Sequence, residues 1–270
     1  QWSQFREFAV RGAGTALTAD AQDLTGYVSA YIPADVYKLT VNDKGNAAFA
    51  ITAAQGARDR IYVYKYFFRN QGDGTTRVQN SWSYWKFEGC DEVLQVLCIR
   101  EQLYMLMRYG NQVFLETLPV MDRMQDQAGA PYPLLLDRKV GTATTTPVAM
   151  RMSKGVYDPV TKRTTFTLPF EARAKTQVWS VYSFTPGARP GGVLLGEITS
   201  GTTVSVRGDW SAADVLCGEP YEFRYRFSRF KAMKEIGGGK AAVNTMRTQV
   251  RQAKLRYHES GFFKAMVMPE

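Results

Sequence analysis

The sequence predicts an all-β protein, and three observations predict it. First, four extended runs follow one another between residues 61 and 118 with only short breaks: Ile61-Tyr-Val-Tyr-Lys-Tyr-Phe-Phe68, Asn80-Ser-Trp-Ser-Tyr-Trp-Lys-Phe87, Val93-Leu-Gln-Val-Leu-Cys-Ile99, and Leu103-Tyr-Met-Leu-Met107, which turns through Gly110-Asn111 into Val113-Phe-Leu-Glu-Thr-Leu118. They are rich in β-branched and aromatic residues and are cut by Gly, Asn and Asp, as consecutive antiparallel strands are. Second, Trp82 and Tyr84 point to one face of the second run and Trp85 and Phe87 to the other, because side chains alternate along a strand. Both faces are apolar, so this sheet needs cover on two sides, as an antiparallel blade stacked between blades of a β-propeller has. Third, short strands at regular spacing resume beyond residue 133, which indicates a second β-domain, sandwich-like or barrel-like.

Taken in order, residues 1–10 are expected as a strand of an earlier unit, with Trp2, Phe5 and Phe8 as its apolar side chains. Gly12, Gly14 and residues 15–20 are expected as loop, 20–26 as a short helical turn, and 27–32 as strand. Strands at 36–41 and 46–52 are joined by the turn Asp43-Lys-Gly45, ahead of the central runs. Residues 119–133, with Pro131 and Pro133 and no alternation, mark the expected boundary between a propeller portion, 1–120, and a sandwich-like platform domain, 121–270. Strands are expected at 134–140 and 148–153. Further ones follow at 164–168, paired across Asp158-Pro-Val-Thr-Lys162, and at 177–183, 192–198 and 202–207. Tyr221-Glu-Phe-Arg-Tyr-Arg-Phe227 alternates most clearly, with Tyr221, Phe223, Tyr225 and Phe227 on one face and Glu222, Arg224 and Arg226 on the other. Residues 243–257 are ambiguous: Met246, Val250, Ala253 and Tyr257 recur at helical spacing.

Composition narrows the functional classes. The 270 residues are 45% hydrophobic and 13% aromatic, enough for one large core or two modest ones. No run approaches the ~20 apolar residues of a membrane span, and the N-terminal residues lack the pattern of a signal peptide. Cys90, Cys98 and Cys217 form neither a disulfide framework nor a C-x-x-C zinc pair, and are expected as small buried apolar residues in a reducing compartment. The net charge of +9 favours anionic partners. Its late cluster, Arg224, Arg226, Arg247, Arg251 and Arg256, has three readings: a solvated face, a contact to an acidic neighbouring subunit, or a non-specific contact to a DNA backbone.

No motif carries catalysis, a cofactor or a metal. His258 is the single histidine, placed near an expected turn without a matching nucleophile motif. Gly237-Gly-Gly-Lys240 has the wrong spacing for a phosphate loop, and Ala241 stands where its hydroxyl belongs, so it reads as a hairpin tip. Asp122 with Asp126 are loop carboxylates. Trp82, Tyr84 and Trp85 could stack sugars or bases, but mid-strand positions facing both ways favour packing.

The same central runs carry a resemblance. Lys65-Tyr-Phe-Phe68, then Gln79-Asn-Ser-Trp-Ser-Tyr-Trp-Lys-Phe87 and Gln112-Val-Phe-Leu-Glu116, resemble the late part of tail tubular protein B, the nozzle protein of short-tailed bacteriophages. Ala21-Gln-Asp-Leu-Thr25, Tyr31-Ile-Pro33, Leu135-Leu-Asp137, the 157–168 hairpin and Leu255-Arg-Tyr-His-Glu-Ser-Gly261 follow in the family's order. Family members are much longer, so the resemblance implies a fragment or a truncated relative. It also implies a structural, non-enzymatic tail subunit assembled in the host bacterial cytoplasm. Such a subunit forms a ring, a hexamer in the family, below the adaptor protein, contacts tail fibres, extends the DNA channel, and helps retain and eject the genome. The resemblance further favours a strand from about Gln249, paired with 262–268. Fold-bearing roles are expected for Trp82, Tyr84, Trp85, Phe87, Tyr221, Phe223 and Tyr225, with the late arginines as subunit or DNA contacts. A propeller-based glycan-binding or glycan-degrading tail protein is the alternative.

Overall fold

The computed structural model describes residues 6–13, 16–25, 28, 30–71, 74–120, 134–143, 151–181, 191–225, 232–236, 239–243, 254 and 256. Among them there are strands and turns and no helix. Strands β1 (Arg6–Ala13) and β2 (Ala16–Asp23) form an antiparallel hairpin in continuous register, from Arg6 opposite Asp23 to Ala13 opposite Ala16. This corrects two expectations, a loop at 15–20 and a helical turn from residue 20. The glycines and small residues of this stretch have weak strand preference by themselves, and pairing with the neighbouring strand overrides it.

Strands β3 (Val36–Asn42), β4 (Ala47–Thr52), β5 (Arg60–Gln71) and β6 (Gly74–Lys86) form a four-stranded antiparallel sheet in sequence order. The β3–β4 turn is the one expected: Asn42 accepts from the Gly45 N–H through Oδ1 at 2.6 Å, and Asn46 takes a left-handed φ of 47° that asparagine tolerates. Strands β7 (Glu92–Ile99), β8 (Gln102–Tyr109) and β9 (Gln112–Pro119) follow as a three-stranded meander. Gly110, at φ 63°, makes the tight β8–β9 turn.

Alternation decides what each face buries. Phe49, Val63, Ile61 and Trp85 lie on one face of the first sheet and pack with Val93, Val96, Leu103, Met105 and Met107 of the second in one core. Trp82 and Tyr84 lie on the other face, beside Tyr62, Tyr64 and Ala50. The two-sided apolar sheet is therefore observed, but among the described residues the second face is covered by the segment around Tyr31 and Ile32. Trp82 donates its indole N–H to the Leu24 carbonyl at 2.9 Å, while Tyr84 stays 45% exposed. Residues 28 and 30–32 turn instead of forming the expected strand. The Val28 N–H bonds to Thr25 and the Tyr31 N–H to Val28, Ala30 takes φ 66°, and the chain folds back to insert Ile32 against the sheet.

The later half holds a second core. Strands β10 (Leu136–Gly141), β13 (Thr176–Ser180), β14 (Leu194–Ile198) and β16 (Val215–Pro220) form a sheet in the order β10-β16-β13-β14; β11 (Val156–Asp158), β12 (Arg163–Ala172) and β15 (Gly201–Arg207) form another in the order β11-β12-β15. Val140, Val178, Val215 and Cys217 of the first meet Phe166, Leu168, Phe170, Val204 and Val206 of the second. Strand β12 shows why: its burial alternates without a break from Thr164 to Ala172. Strand β16 was not foreseen, because Val-Leu-Cys-Gly-Glu-Pro lacks alternation and is buried along most of its length. Strands β17 (Ala232–Ile236) and β18 (Gly239–Val243) pair around the glycine run, as the hairpin-tip reading requires.

Residues 221–225 are not a strand. β16 ends at Pro220, and residues 221–225 belong to no strand. Tyr221, Phe223 and Tyr225 are 43%, 84% and 66% exposed, so they do not bear the second core as expected. Alternation of aromatic and charged residues reports an amphipathic ribbon, which is not by itself a strand. The 243–257 ambiguity and the expected pairing with 262–268 lie outside the described residues, save for 254 and 256.

Phe49 is fully buried at the centre of the first core. Phe49→Ala should lower unfolding stability by about 3–5 kcal/mol in urea titrations, and Tyr84→Ala by less than about 1 kcal/mol.

Candidate functional site

Of the five arginines that the sequence singled out, Arg224 and Arg256 lie among the described residues. Arg224 lies in the extended 221–225 segment, its side chain 80% exposed and paired to Glu222 at 3.2 Å, a surface contact of little energetic weight. Arg256 is exposed, and Arg226, Arg247 and Arg251 lie outside the described residues. His258, Asp122 and Asp126 lie outside them too. Cys90 and Cys217 are buried and free, and burial pushes both thiols up to about 12, so they pack as apolar residues and not as nucleophiles. Cys98, half-buried, accepts a contact from the Asn42 amide at 3.2 Å.

A buried charge cluster among the described residues is one that sequence reading missed. It lies where the two cores meet, and Phe114 packs against both. Its centre is Arg138, with a side chain only 4% exposed. The guanidinium carbon sits 4.0 Å from the ring centroids of both Tyr109 and Phe170 and 5.1 Å from that of Phe114. Arg138 donates from Nε to Glu116 at 3.0 Å and from Nη1 to Glu219 at 3.4 Å. One cation thus joins β8 and β9 of the first core to β12 and β16 of the second.

The local backbone explains how it gets there. Pairing between β10 and β16 shifts between Asp137 and Val140, a bulge that places Arg138 and Lys139 opposite Gly218. Arg138 takes φ 48°, and a bulge of this kind re-aims a side chain. Gly218 makes the close approach affordable: a Cβ there would meet the Asp137 carbonyl oxygen at 2.7 Å and Leu136 Cβ at 2.8 Å. Lys139, also buried, donates to the Leu134 carbonyl at 2.6 Å.

Burial sets the electrostatics. The Glu219 carboxyl is pushed up to about 7 by desolvation, which outweighs the stabilising charge of Arg138. Asp137 is pushed up to about 6 by desolvation and by the charge of Glu116. Glu116 and Tyr109 are raised as well, chiefly by burial. A second, exposed link crosses the same junction: Arg173 donates to Asp91, which also accepts from the Gly110 N–H at 2.6 Å and is held below the usual carboxylate range by those bonds, Arg173 first.

This arrangement ties strands of the two β units together through one cation. The family described as bacteriophage nozzle protein matches residues 1–270. The chain belongs to that family. Among curated proteins it is similar to tail tubular protein gp12 of Escherichia phage T7, with 25% identity over 267 residues, which cover 97% of this chain and 31% of that protein. The nozzle-family chain therefore spans about a third of the length of this relative. The sequence-stretch resemblance named on Gln79 to Phe87 is thereby shown at the level of the family.

Removing Arg138 would strand two buried carboxylates. Arg138→Ala should cost about 3–5 kcal/mol in chemical unfolding, more than the exposed Arg224→Ala, which should be within about 0.5 kcal/mol. Gly218→Ala should also destabilise, since backbone atoms stand where its methyl would go; unchanged unfolding midpoints for both variants would remove the junction from the account.

Proposed function

We propose that the chain is part of a structural subunit of a short-tailed phage tail, a nozzle that forms a ring, extends the DNA channel below the adaptor, and helps retain and eject the genome. The single observation that carries this is the match of the nozzle family along all 270 residues. On this reading the chain resides in the virion tail after assembly in the host cytoplasm, works by subunit contacts and without bond chemistry, and meets the adaptor, tail fibres and DNA as neighbours. A hexameric ring is the expected stoichiometry.

The propeller reading of the first half belongs to the same proposal. A four-stranded meander followed by a three-stranded one supports it. So does the outer face of β7–β9, where Leu97, Ile99, Val113 and Leu115 are 46–68% exposed, opposite the buried Leu103, Met105 and Met107. That apolar face has the character of one that a further sheet covers. The domain boundary is proposed between residues 120 and 134, between the two cores.

Arg224 is the described member of the proposed contact group. Arg224→Glu with Arg226→Glu should leave the isolated fold intact by circular dichroism while lowering ring assembly or the fraction of virions that retain DNA; normal assembly, retention and ejection would discard that contact. For the tail role itself, antibody raised against this chain should label purified virions at the tail below the head in electron micrographs. Label elsewhere, or none on virions that contain the chain by immunoblot, would overturn it.

A further inference from the structure

We propose that the Arg138 cluster is a proton-coupled clamp between the two cores, closed more tightly in mild acid and loosened as the solution turns alkaline. The proposal does not depend on the tail role, since it rests on the geometry of the junction. Arg138 of β10 reaches Glu116 of β9 and Glu219 of β16, and stacks on Tyr109 of β8 and Phe170 of β12, so the contact exists only while the two cores stay together. One cation faces two carboxylates, with a third, Asp137, close enough to be raised by the charge of Glu116 and itself favoured by Lys139. With Glu116, Glu219 and Asp137 all ionised, three negative charges stand against Arg138 and Lys139 in a place where Glu219 is 4% exposed. A proton on one carboxylate removes that excess.

The direction follows from linkage. In the closed junction Glu219 titrates at about 7 and Asp137 at about 6, and on separation both lose the cover of β8 and β9 and fall toward the ordinary 4.5 and 3.8. Between those limits the closed form binds more protons than the open form, so raising the pH favours opening. Below the open-state values both forms are protonated and the dependence vanishes; above about 7 the weakening is complete. The groups that act on Glu219 are Arg138, which favours its charged form, and Glu116 and Asp137, which oppose it. On the neighbouring sheet edge Lys175 is committed to Glu197 at 2.8 Å. The Asp91–Arg173 bond across the same junction works in the opposite sense but at lower pH, because Asp91 is held below its ordinary value and weakens only in strong acid. Closure is therefore tightest in a mildly acidic window.

Each unit of difference between the closed and open values changes the opening equilibrium up to tenfold, so Glu219 alone can supply on the order of 100-fold. Hydrogen–deuterium exchange of the full chain from pH 5 to 8.5, divided by the intrinsic exchange rate at each pH, reads this opening at the amides of β9, β10 and β16. Protection should fall about 10- to 100-fold across the range in the wild type, and Glu219→Gln should flatten the fall. Asp137→Asn should remove only its lower part. Should either variant fail to fold, the carbon-13 titration of the Glu219 side-chain carboxyl in the wild type decides instead: a midpoint near neutrality supports the clamp, and one near 4.5 overturns it. A pH-independent wild-type protection, or an undiminished slope in Glu219→Gln, overturns it equally.

Discussion

The structure depends on holding two β cores together through a buried cation. Among the described residues Phe114 packs against both cores, and it lies with Tyr109 and Phe170 around the Arg138 guanidinium. Arginine suits this position because its flat, weakly hydrated head can stack on rings and still donate in the plane to two carboxylates. An ammonium group would fit worse. The desolvation of three ionic groups makes the net stabilisation modest, while the loss of one partner costs far more, so the cluster serves orientation better than raw stability.

Much of the chain's fold was legible because one signal repeats. Strands β3 to β9 and β11, β12 and β15 follow runs of β-branched and aromatic residues cut by turn chemistry, and the opposed faces of Trp82 and Trp85 are where a strand must put them. Legibility failed in three ways. β2 and β16 lack alternation and are strands because of what they pair with. Residues 221–225 alternate well, yet β16 has already ended at Pro220. Ile32 is core through a reversing turn that begins near Thr25, a tertiary choice that no local pattern announces.

The charge cluster was harder to read for a different reason. Counting basic residues pointed to Arg224 and its neighbours, since net charge is visible in composition while burial is not. Leu135-Leu-Asp137 stood out as a family-like stretch, but the next residue, Arg138, gains its meaning only through a bulge opposite Gly218 and through rings from β8, β9 and β12. Its five partners are spread over more than a hundred residues of sequence. A glycine inside an apolar run, Val215-Leu-Cys-Gly218, was the one local hint, because such a glycine often marks a bulge or close backbone approach.

Individual strands of the two cores differ in what their outward faces leave in water. In the second core β12 seals every inward residue, and its outward face is polar or charged apart from Pro169: Arg163, Thr165, Thr167 and Glu171. In the first, β3 and β7 leave Tyr37, Leu39, Val41, Leu97 and Ile99 about half exposed along adjacent edges. Tyr37 and Thr40 of β3 do bond to the backbone of β7, so these edges are fixed in place by polar contacts and not by mutual apolar cover. Rows of large apolar residues on rigid strands are costly to leave in water, at about 25 cal/mol per Å². A sheet that presents such rows on a fixed frame is prepared for cover by another surface, whereas a polar-faced sheet is not. The rows on β3 and β7 are therefore surfaces suited to cover, whereas the outward face of β12 is not.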